Sequence, residues 1–329
     1  MKIKAMIQNL EFKQQIARKA EKSNIRIEFI DYDESIIPQI QDSDILINSF
    51  DKIDKSFIDS CPQLKLVQQS GIGVDGIDID YCSRKGIYVA NVPMANAISV
   101  AEHTFLLMLY LVKNIKINLF NSQANTSSFV RRQQDRMGSE LLGKTLLIIG
   151  LGVTGIEVAK RAKAFGMKVI AVTKHPFTKT EGGDKKYFVD NLYGVDKLTE
   201  VIQRADITSI HVPLNRETEN MIGSDELKLM KQSAYLINAA RAQVVNKDAL
   251  LKSLKEGNIA GAAFDVFWKE PVDSKDELLK LDNFLLTPHI AGWTHEAIDS
   301  ITDIIFINIE RVLRGQLPLT LVNKVNDSL

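Results

Sequence analysis

The run Thr145-Leu146-Leu147-Ile148-Ile149 leads straight into Gly150-Leu151-Gly152-Val153-Thr154-Gly155, after which Ile156, Ala159, Ala162 and Phe165 recur at helical spacing. A G-x-G-x-x-G turn placed after a strand and opening a helix constrains the fold more than any other feature of this chain. Gly150 is expected to permit the tight turn. Gly152 would let backbone approach a pyrophosphate closely, and Gly155 would let helix and strand pack together. The helix N-terminus then offers free N–H groups and a partial positive charge to phosphate. A second strand, Lys168–Val172, follows where a βαβ unit needs it. Strand, turn, helix and strand in this order predict a dinucleotide site rather than a glycine-rich turn without a ligand.

The rest of the chain alternates short apolar runs with helical patterns, which predicts parallel sheets. Ile25–Ile30, Ile45–Ile47, Leu64–Gln68 and Ile87–Val89 read as strands, with helices at Phe12–Ala20 and Lys55–Cys61. The turn Asn91-Val92-Pro93 and a long apolar helix at Ser99–Asn114 mark a boundary, and Gln123–Gly143 reads as polar and irregular. At 329 residues the chain is too long for one typical core. An economical layout has the final helix, Glu296–Arg314, return to the first domain. The expected fold is therefore α/β, with two doubly wound parallel-sheet domains. One is a discontinuous substrate-binding domain of residues 1–98 and 297–329, and the other a dinucleotide-binding domain of residues 99–296.

Lys plus Arg equals Asp plus Glu, 41 against 41, which gives no electrostatic reason to expect nucleic acid or an anionic membrane as a partner. Cys61 and Cys82 form neither a CxxC pair nor a metal-type cluster, so no metal site is expected and a reducing compartment fits. The first residues lack the apolar core of about 7–15 residues that a secretory signal carries. The apolar run at Thr104–Val112 is too short to span a bilayer. The cytoplasm is the expected location.

Ionisable residues stand at three successive strand ends. Leu236-Ile237-Asn238-Ala239-Ala240 delivers Arg241. Gly261-Ala262-Ala263-Phe264 delivers Asp265, with Glu270 close behind. Phe284-Leu285-Leu286 leads into Thr287-Pro288-His289. In open α/β sheets, ligands bind beyond the carboxyl ends of strands. An arginine provides a fork for a carboxylate. A histidine moves a proton near neutral pH, and a carboxylate orients it and favours its charged form. Arginine, carboxylate and histidine together fit the reduction of a 2-oxo acid. Of the other histidines, His103 lies within the apolar helix and reads as structural, while His211 ends the strand Ile207–Ile210 and is expected on the cofactor side.

The chain resembles the D-isomer-specific 2-hydroxyacid dehydrogenases, the family of glyoxylate/hydroxypyruvate reductases and phosphoglycerate dehydrogenases. The matching stretches are Ser70-Gly71-Ile72-Gly73-Val74-Asp75, Ala101-Glu102-His103, Gly150–Gly155, Asn238-Ala239-Ala240-Arg241, Ala263-Phe264-Asp265-Val266-Phe267 with Glu270-Pro271, and Thr287-Pro288-His289, in the family's order. The resemblance implies that Arg241, Glu270 and His289 are catalytic. It implies that the N–H groups of Ile72 and Gly73 hold the substrate carboxylate, with Arg241 and His289 also at the substrate. It places Val153 and Thr154 at the pyrophosphate, and Val212, Ala239 and Asp265 beside the nicotinamide. It also implies two Rossmann-like domains, the first interrupted by the second, and a homodimer with the helix near Ser99–Asn114 at its contact.

Two departures stand out. Ala242 replaces the family's glycine after the catalytic arginine. Thr173 replaces the acidic residue that ends the second strand of the nucleotide fold. In NAD-binding members of this fold that acid accepts hydrogen bonds from the ribose 2′-OH and repels a 2′-phosphate. Thr173, Lys174 and His175 do not repel it, so NADP is the expected cofactor and NAD the alternative, with Glu181 or Asp184 the acids within reach for NAD. Pocket walls are expected from Ser49, Phe50, Ile72 and Trp293. The expected reaction is hydride transfer between NAD(P)H and a small 2-oxo acid, glyoxylate or hydroxypyruvate first. A phosphoglycerate dehydrogenase-like enzyme ranks second, since no regulatory domain follows residue 329. A dinucleotide-sensing regulator without turnover is disfavoured by the intact Arg–Glu–His set, and a formate dehydrogenase by Glu270, where that branch carries Gln.

Overall fold

The computed structural model describes residues 1–115, 137–176 and 188–325. The chain divides into two compact units, Met1–Asn96 with Trp293–Leu329, and Ala97–Gly292. Each is described by itself.

The described residues of the first unit form a five-stranded sheet in the order β2-β1-β3-β4-β5. The strands are β1 (Ile3–Met6), β2 (Ile27–Phe29), β3 (Ile45–Asn48), β4 (Leu66–Gln69) and β5 (Tyr88–Ala90). All pairings are parallel. Alternate residues face opposite layers. Ile3, Ala5, Ile45, Ile47 and Leu66 pack in one cluster with Phe12 and Ile16 of the helix Leu10–Lys22. Met6, Leu46, Val67 and Val89 pack on the other face with Ile40, Phe57 and Ile58.

The last helix, His295–Leu313, belongs to this unit. Its Ile298, Ile305, Phe306 and Ile309 are buried in the same cluster as Ile3 and Ile45. Each such side chain, fully buried, contributes about 1.5–3 kcal/mol. Thr294 caps the helix, its side chain accepting from the Ala297 N–H at 3.3 Å. Farther along, Asn308, fully buried, donates to Gln68 Oε1 on β4 at 2.8 Å. This helix carries the chain back to the first sheet, so the unit is built from two separate stretches of sequence.

The second unit carries a seven-stranded parallel sheet in the order β12-β11-β10-β9-β6-β7-β8. Its strands are β6 (Thr145–Ile149), β7 (Lys168–Thr173), β8 (Asn191–Gly194), β9 (Ile207–Ile210), β10 (Tyr235–Asn238), β11 (Gly261–Phe264) and β12 (Phe284–Leu286). The direction of winding reverses between β6 and β9, the switch point at which doubly wound sheets bind ligands. One face packs Leu146, Ile148, Val169, Ile237 and Ala263 against Ala101, Phe105 and Met108 of the helix Ala97–Val112, and against Val158, Ala159 and Ala162 of the helix Val153–Ala164. The other buries Leu147, Ile149, Val172, Leu236 and Phe264 with Leu250 and Leu254 of the helix Lys247–Glu256.

Candidate active site

The glycine turn lies at the carboxyl end of β6, beside the switch point. Gly150 has φ +98°, and a Cβ there would meet the His211 carbonyl oxygen at 2.4 Å. Only glycine fits both demands. A Cβ on Gly155 would lie 2.1 Å from the Gly150 carbonyl oxygen and 3.3 Å from Ile148 Cγ2, so its absence is what lets helix and strand approach. A Cβ on Gly152 would meet nothing within 4 Å. Gly152 and Val153 are exposed, Thr154 is half-buried, and no side chain caps the helix Val153–Ala164. An uncapped helix start behind an open glycine backbone fits a pyrophosphate, which would take those N–H groups. Val212 lies against the turn, its Cγ1 within 2.8 Å of where a Gly150 Cβ would stand. His211 bonds Ser209 Oγ through Nε2 at 2.8 Å. Burial pushes its imidazole down to about 4, so it is neutral at physiological pH.

Thr173 ends β7 half-buried, and the exposed Lys174 follows it. Lys174 Nζ pairs with Glu217 Oε2 at 2.6 Å. Sequence reading had missed Glu217, which lies in the loop after β9 and is 43 residues away along the chain. Glu181 and Asp184 lie outside the described residues.

At the end of β10, the buried Asn238 folds the turn that presents Arg241. Its Nδ2 donates to the Arg241 carbonyl at 2.9 Å, and its Oδ1 accepts from the Ala240 N–H at 3.0 Å. Ala239 and Arg241 are half-buried on this turn, and Arg241 Nη1 donates to the Ala240 carbonyl at 2.9 Å.

His289 and Glu270 come together. His289 Nδ1 lies 2.9 Å from Glu270 Oε2, while Glu270 Oε1 accepts from the Phe267 N–H at 2.9 Å. Burial raises the Glu270 carboxyl, but the hydrogen bonds from His289 and Phe267 outweigh it and hold the group below its ordinary range. Glu270 is therefore a carboxylate at neutral pH and can only accept. The His289 Nδ1 then carries the shared hydrogen, and Nε2 is the ring nitrogen turned away from Glu270. His289 itself sits at φ +56°, the left-handed region that residues other than glycine enter rarely.

Asp265, 1% exposed, ties down the loop that carries His289. Its Oδ1 accepts from the Thr287 hydroxyl at 2.5 Å and the Ile290 N–H at 3.0 Å, and its Oδ2 from the Ala291 N–H at 2.7 Å. Burial raises this carboxyl too, yet the bonds from His103, Thr287, Ala291 and Ile290 hold it below its ordinary range.

In the first unit, Ile72 and Gly73 follow β4. The Gly71 carbonyl accepts from the Val92 N–H at 3.1 Å, and the Ile72 carbonyl from Asn91 Nδ2 at 2.8 Å. A trans peptide holds its N–H opposite its C=O. The residues after β5 thus fix the direction in which the Ile72 and Gly73 N–H groups point. Phe50 is exposed at the end of β3, with its ring 6.4 Å from that of Trp293. Ser49 Oγ accepts from Ser70 Oγ at 3.1 Å.

Among the described residues, no three histidine, cysteine or acidic side chains gather as a metal site, and no helix is long and apolar enough to cross a membrane. Both cysteines are buried, which pushes their thiols up.

Residues 105–291 match the model of the NAD-binding domain of D-isomer specific 2-hydroxyacid dehydrogenases. The chain belongs to this family. It is 40% identical over 297 residues to a D-3-phosphoglycerate dehydrogenase of Methanocaldococcus jannaschii, a match covering 89% of this chain but 54% of that protein. It therefore spans about half the length of that relative. It is 38% identical over 303 residues to a glyoxylate reductase of Thermococcus litoralis, covering 88% of this chain and 86% of the relative. The crystal structure of an Aquifex aeolicus D-lactate dehydrogenase with NAD and lactic acid superposes with a TM-score of 0.81 at 29% identity, over 98% of this chain and 99% of that one. The resemblance seen in the sequence is thus borne out. As a D-2-hydroxyacid dehydrogenase, the chain is an oxidoreductase that uses a nicotinamide dinucleotide.

Proposed function

We propose that the chain reduces small 2-oxo acids, glyoxylate and hydroxypyruvate first, with NADPH preferred over NADH. The observation that carries this reading is the His289–Glu270 pair, a histidine with its Nδ1 held by a carboxylate, in the same unit as the open glycine turn. The backbone at Gly150, Gly152, Val153, Thr154 and Gly155 holds the pyrophosphate. Val212, Ala239 and Asp265 border the nicotinamide, and Thr173 with Lys174 meets the 2′-phosphate. When bound, the dinucleotide supplies the hydride that reaches C2.

The chain's own groups do the rest. The N–H groups of Ile72 and Gly73 and the Arg241 guanidinium hold the substrate carboxylate, and Arg241 polarises the ketone oxygen. His289 Nε2, protonated, gives its proton to the developing alkoxide. Glu270 stabilises the imidazolium and keeps the ring turned. Residues 1–98 with 297–329 serve substrate binding, and 99–296 serve the dinucleotide. The working form is a homodimer in the cytoplasm; Ile98 and Leu106, which the long helix leaves 59% and 57% exposed, support the dimer.

The test is kcat/KM for glyoxylate, hydroxypyruvate, pyruvate, bulkier 2-oxo acids and, in the oxidative direction, 3-phosphoglycerate, each with both dinucleotides. Highest values for glyoxylate or hydroxypyruvate support the reading. Highest values for 3-phosphoglycerate would replace it with the second reading, which the 40% identical relative favours. Dinucleotide binding without turnover on any of these would overturn catalysis.

A further inference from the structure

The helix Ala97–Val112 is apolar almost throughout, yet it carries Ser99 and His103 four residues apart, on one face. Both reach the same loop. Ser99 Oγ donates to the Ala291 carbonyl at 2.6 Å. His103 Nε2 bonds Thr287 Oγ1 at 2.9 Å and lies 3.4 Å from Asp265 Oδ1. The loop between these two grips contains His289.

The hydrogens in this network can be assigned. Asp265 is ionised and can only accept. The Thr287 hydroxyl has one hydrogen, and it lies along the 2.5 Å contact to Asp265 Oδ1. Toward His103 the Thr287 oxygen is therefore an acceptor, so His103 Nε2 carries a hydrogen. His103 donates to Thr287, Thr287 donates to Asp265, and Asp265 accepts as well from the Ile290 and Ala291 N–H groups on the far side of His289.

His289 needs this restraint. A left-handed backbone at a residue that is not glycine costs about 1–3 kcal/mol and persists only where its surroundings impose it. The His289 N–H donates to the Thr287 carbonyl at 3.0 Å, and the Thr287 N–H to the Phe264 carbonyl at 2.9 Å. Position 287 is thus the hinge on which the turn hangs, and His103 is the group from the helix that holds its side chain.

We infer that His103 is a positioning residue for the reaction, fixing through Thr287 and Asp265 the place at which His289 presents its Nε2. It touches neither substrate nor dinucleotide in this role. The inference rests on the proposed assignment of His289 as proton donor.

The test compares His103→Leu and His103→Gln with wild type and with His289→Ala. The readouts are kcat and KM for 2-oxo acid reduction, the NADPH dissociation constant by fluorescence titration without substrate, and Tm. Glutamine can place an N–H where His Nε2 donates, and leucine cannot. His103→Leu is expected to lower kcat about 10–100-fold, the loss that a misplacement near 1 Å brings. KM for the dinucleotide and its dissociation constant should stay within about twofold, and His103→Gln should recover most of the lost kcat.

A leucine variant with unchanged kcat would overturn the inference. So would a leucine variant whose kcat, dinucleotide affinity and Tm fall together without rescue by glutamine, because that is the mark of a packing role. If the leucine variant does not fold, His103→Asn takes its place, since its shorter amide cannot reach Thr287. Near-wild-type turnover in His289→Ala would remove the proton-donor assignment itself. Loss there beside an intact His103→Leu would remove this inference alone.

Discussion

His289 Nδ1 meets Glu270 Oε2 at 2.9 Å, and that one contact fixes which ring nitrogen carries the hydrogen toward the carboxylate. A carboxylate cannot donate, so the shared hydrogen belongs to the ring, and the proposed donor toward substrate is Nε2. His289→Ala should lower kcat by about 10²–10⁴, the usual loss for a general acid, while dinucleotide affinity barely moves. Stopped-flow reduction and a binding titration measure the two separately. Near-normal turnover would sink the assignment.

Glu270→Gln keeps the size of the side chain and removes its charge. Glu270 is held below the ordinary carboxyl range, so in wild type it stays ionised throughout the neutral region. With His289 as the proposed proton donor, a negative charge beside it favours the form that gives up the proton. In the variant, the alkaline fall in kcat for reduction should therefore move to lower pH. A kcat profile from pH 5 to 9 that superposes on wild type would show that the pair has no catalytic part.

Asp265 gives a stability prediction with a defined sign. Its folded pKa is lowered, so it contributes stability in full above its unfolded value of about 3.9 and loses it as pH falls through the folded value below that. Asp265→Asn leaves N–H donors facing N–H donors and should cost about 1–3 kcal/mol at neutral pH. Thermal unfolding of both proteins from pH 8 to 3 should show a constant gap down to about pH 4, narrowing only below it. A gap that already closes between pH 7 and 5 would mean that Asp265 is not held ionised by these bonds.

Much of this was legible in the sequence because short-range pattern carries it. The strand ends leading to Arg241, Asp265 and His289 are as read, and the glycine turn sits at the predicted junction. β1 was not read. Its four residues include Lys4, which is 7% exposed and pairs with Asp42 at 2.5 Å, so the alternation looks half-exposed when it is not. β8 is equally short and has one glycine and one asparagine among its four residues. The clamp on the 287–291 loop was invisible for a different reason. His103 and Thr287 are 184 residues apart, and nothing local to either announces the other. A histidine and a serine four apart on an apolar helix were the available signal.

Asn91 tests the proposed grip of the Ile72 and Gly73 amides on the substrate carboxylate. Its Nδ2 holds the Ile72 carbonyl at 2.8 Å and so aims the Gly73 N–H. Asn91→Ala frees that peptide plane. Loss of one hydrogen bond worth about 0.5–1.5 kcal/mol should raise KM for the 2-oxo acid about 3–10-fold and leave the dinucleotide constant unchanged. Equal KM values for variant and wild type would take the Gly73 amide out of substrate binding.

The proposed preference for NADPH turns on Thr173, Lys174 and Glu217. No acid ends β7, so residue 173 itself does not repel a 2′-phosphate, and its hydroxyl can donate to one. Lys174 is engaged by Glu217 at 2.6 Å, with both side chains well exposed. An exposed pair of this kind is worth at most about 1 kcal/mol. A phosphate group carries more charge than a carboxylate and should displace Glu217 from the lysine. The carboxylate then remains nearby as a modest brake on NADPH. Wild type should accordingly prefer NADPH in kcat/KM. Glu217→Gln should strengthen that preference by no more than about fivefold, the equivalent of the lost pair. Thr173→Asp should abolish or reverse the preference, because a carboxylate there accepts from the ribose 2′-OH and opposes the phosphate. The decisive measurement is the ratio of dissociation constants for NADPH and NADH in the three proteins, with kcat/KM beside it. A wild type that strongly prefers NADH, with the preference lost in Glu217→Gln, would instead make Glu217 the acid that does the work missing at Thr173.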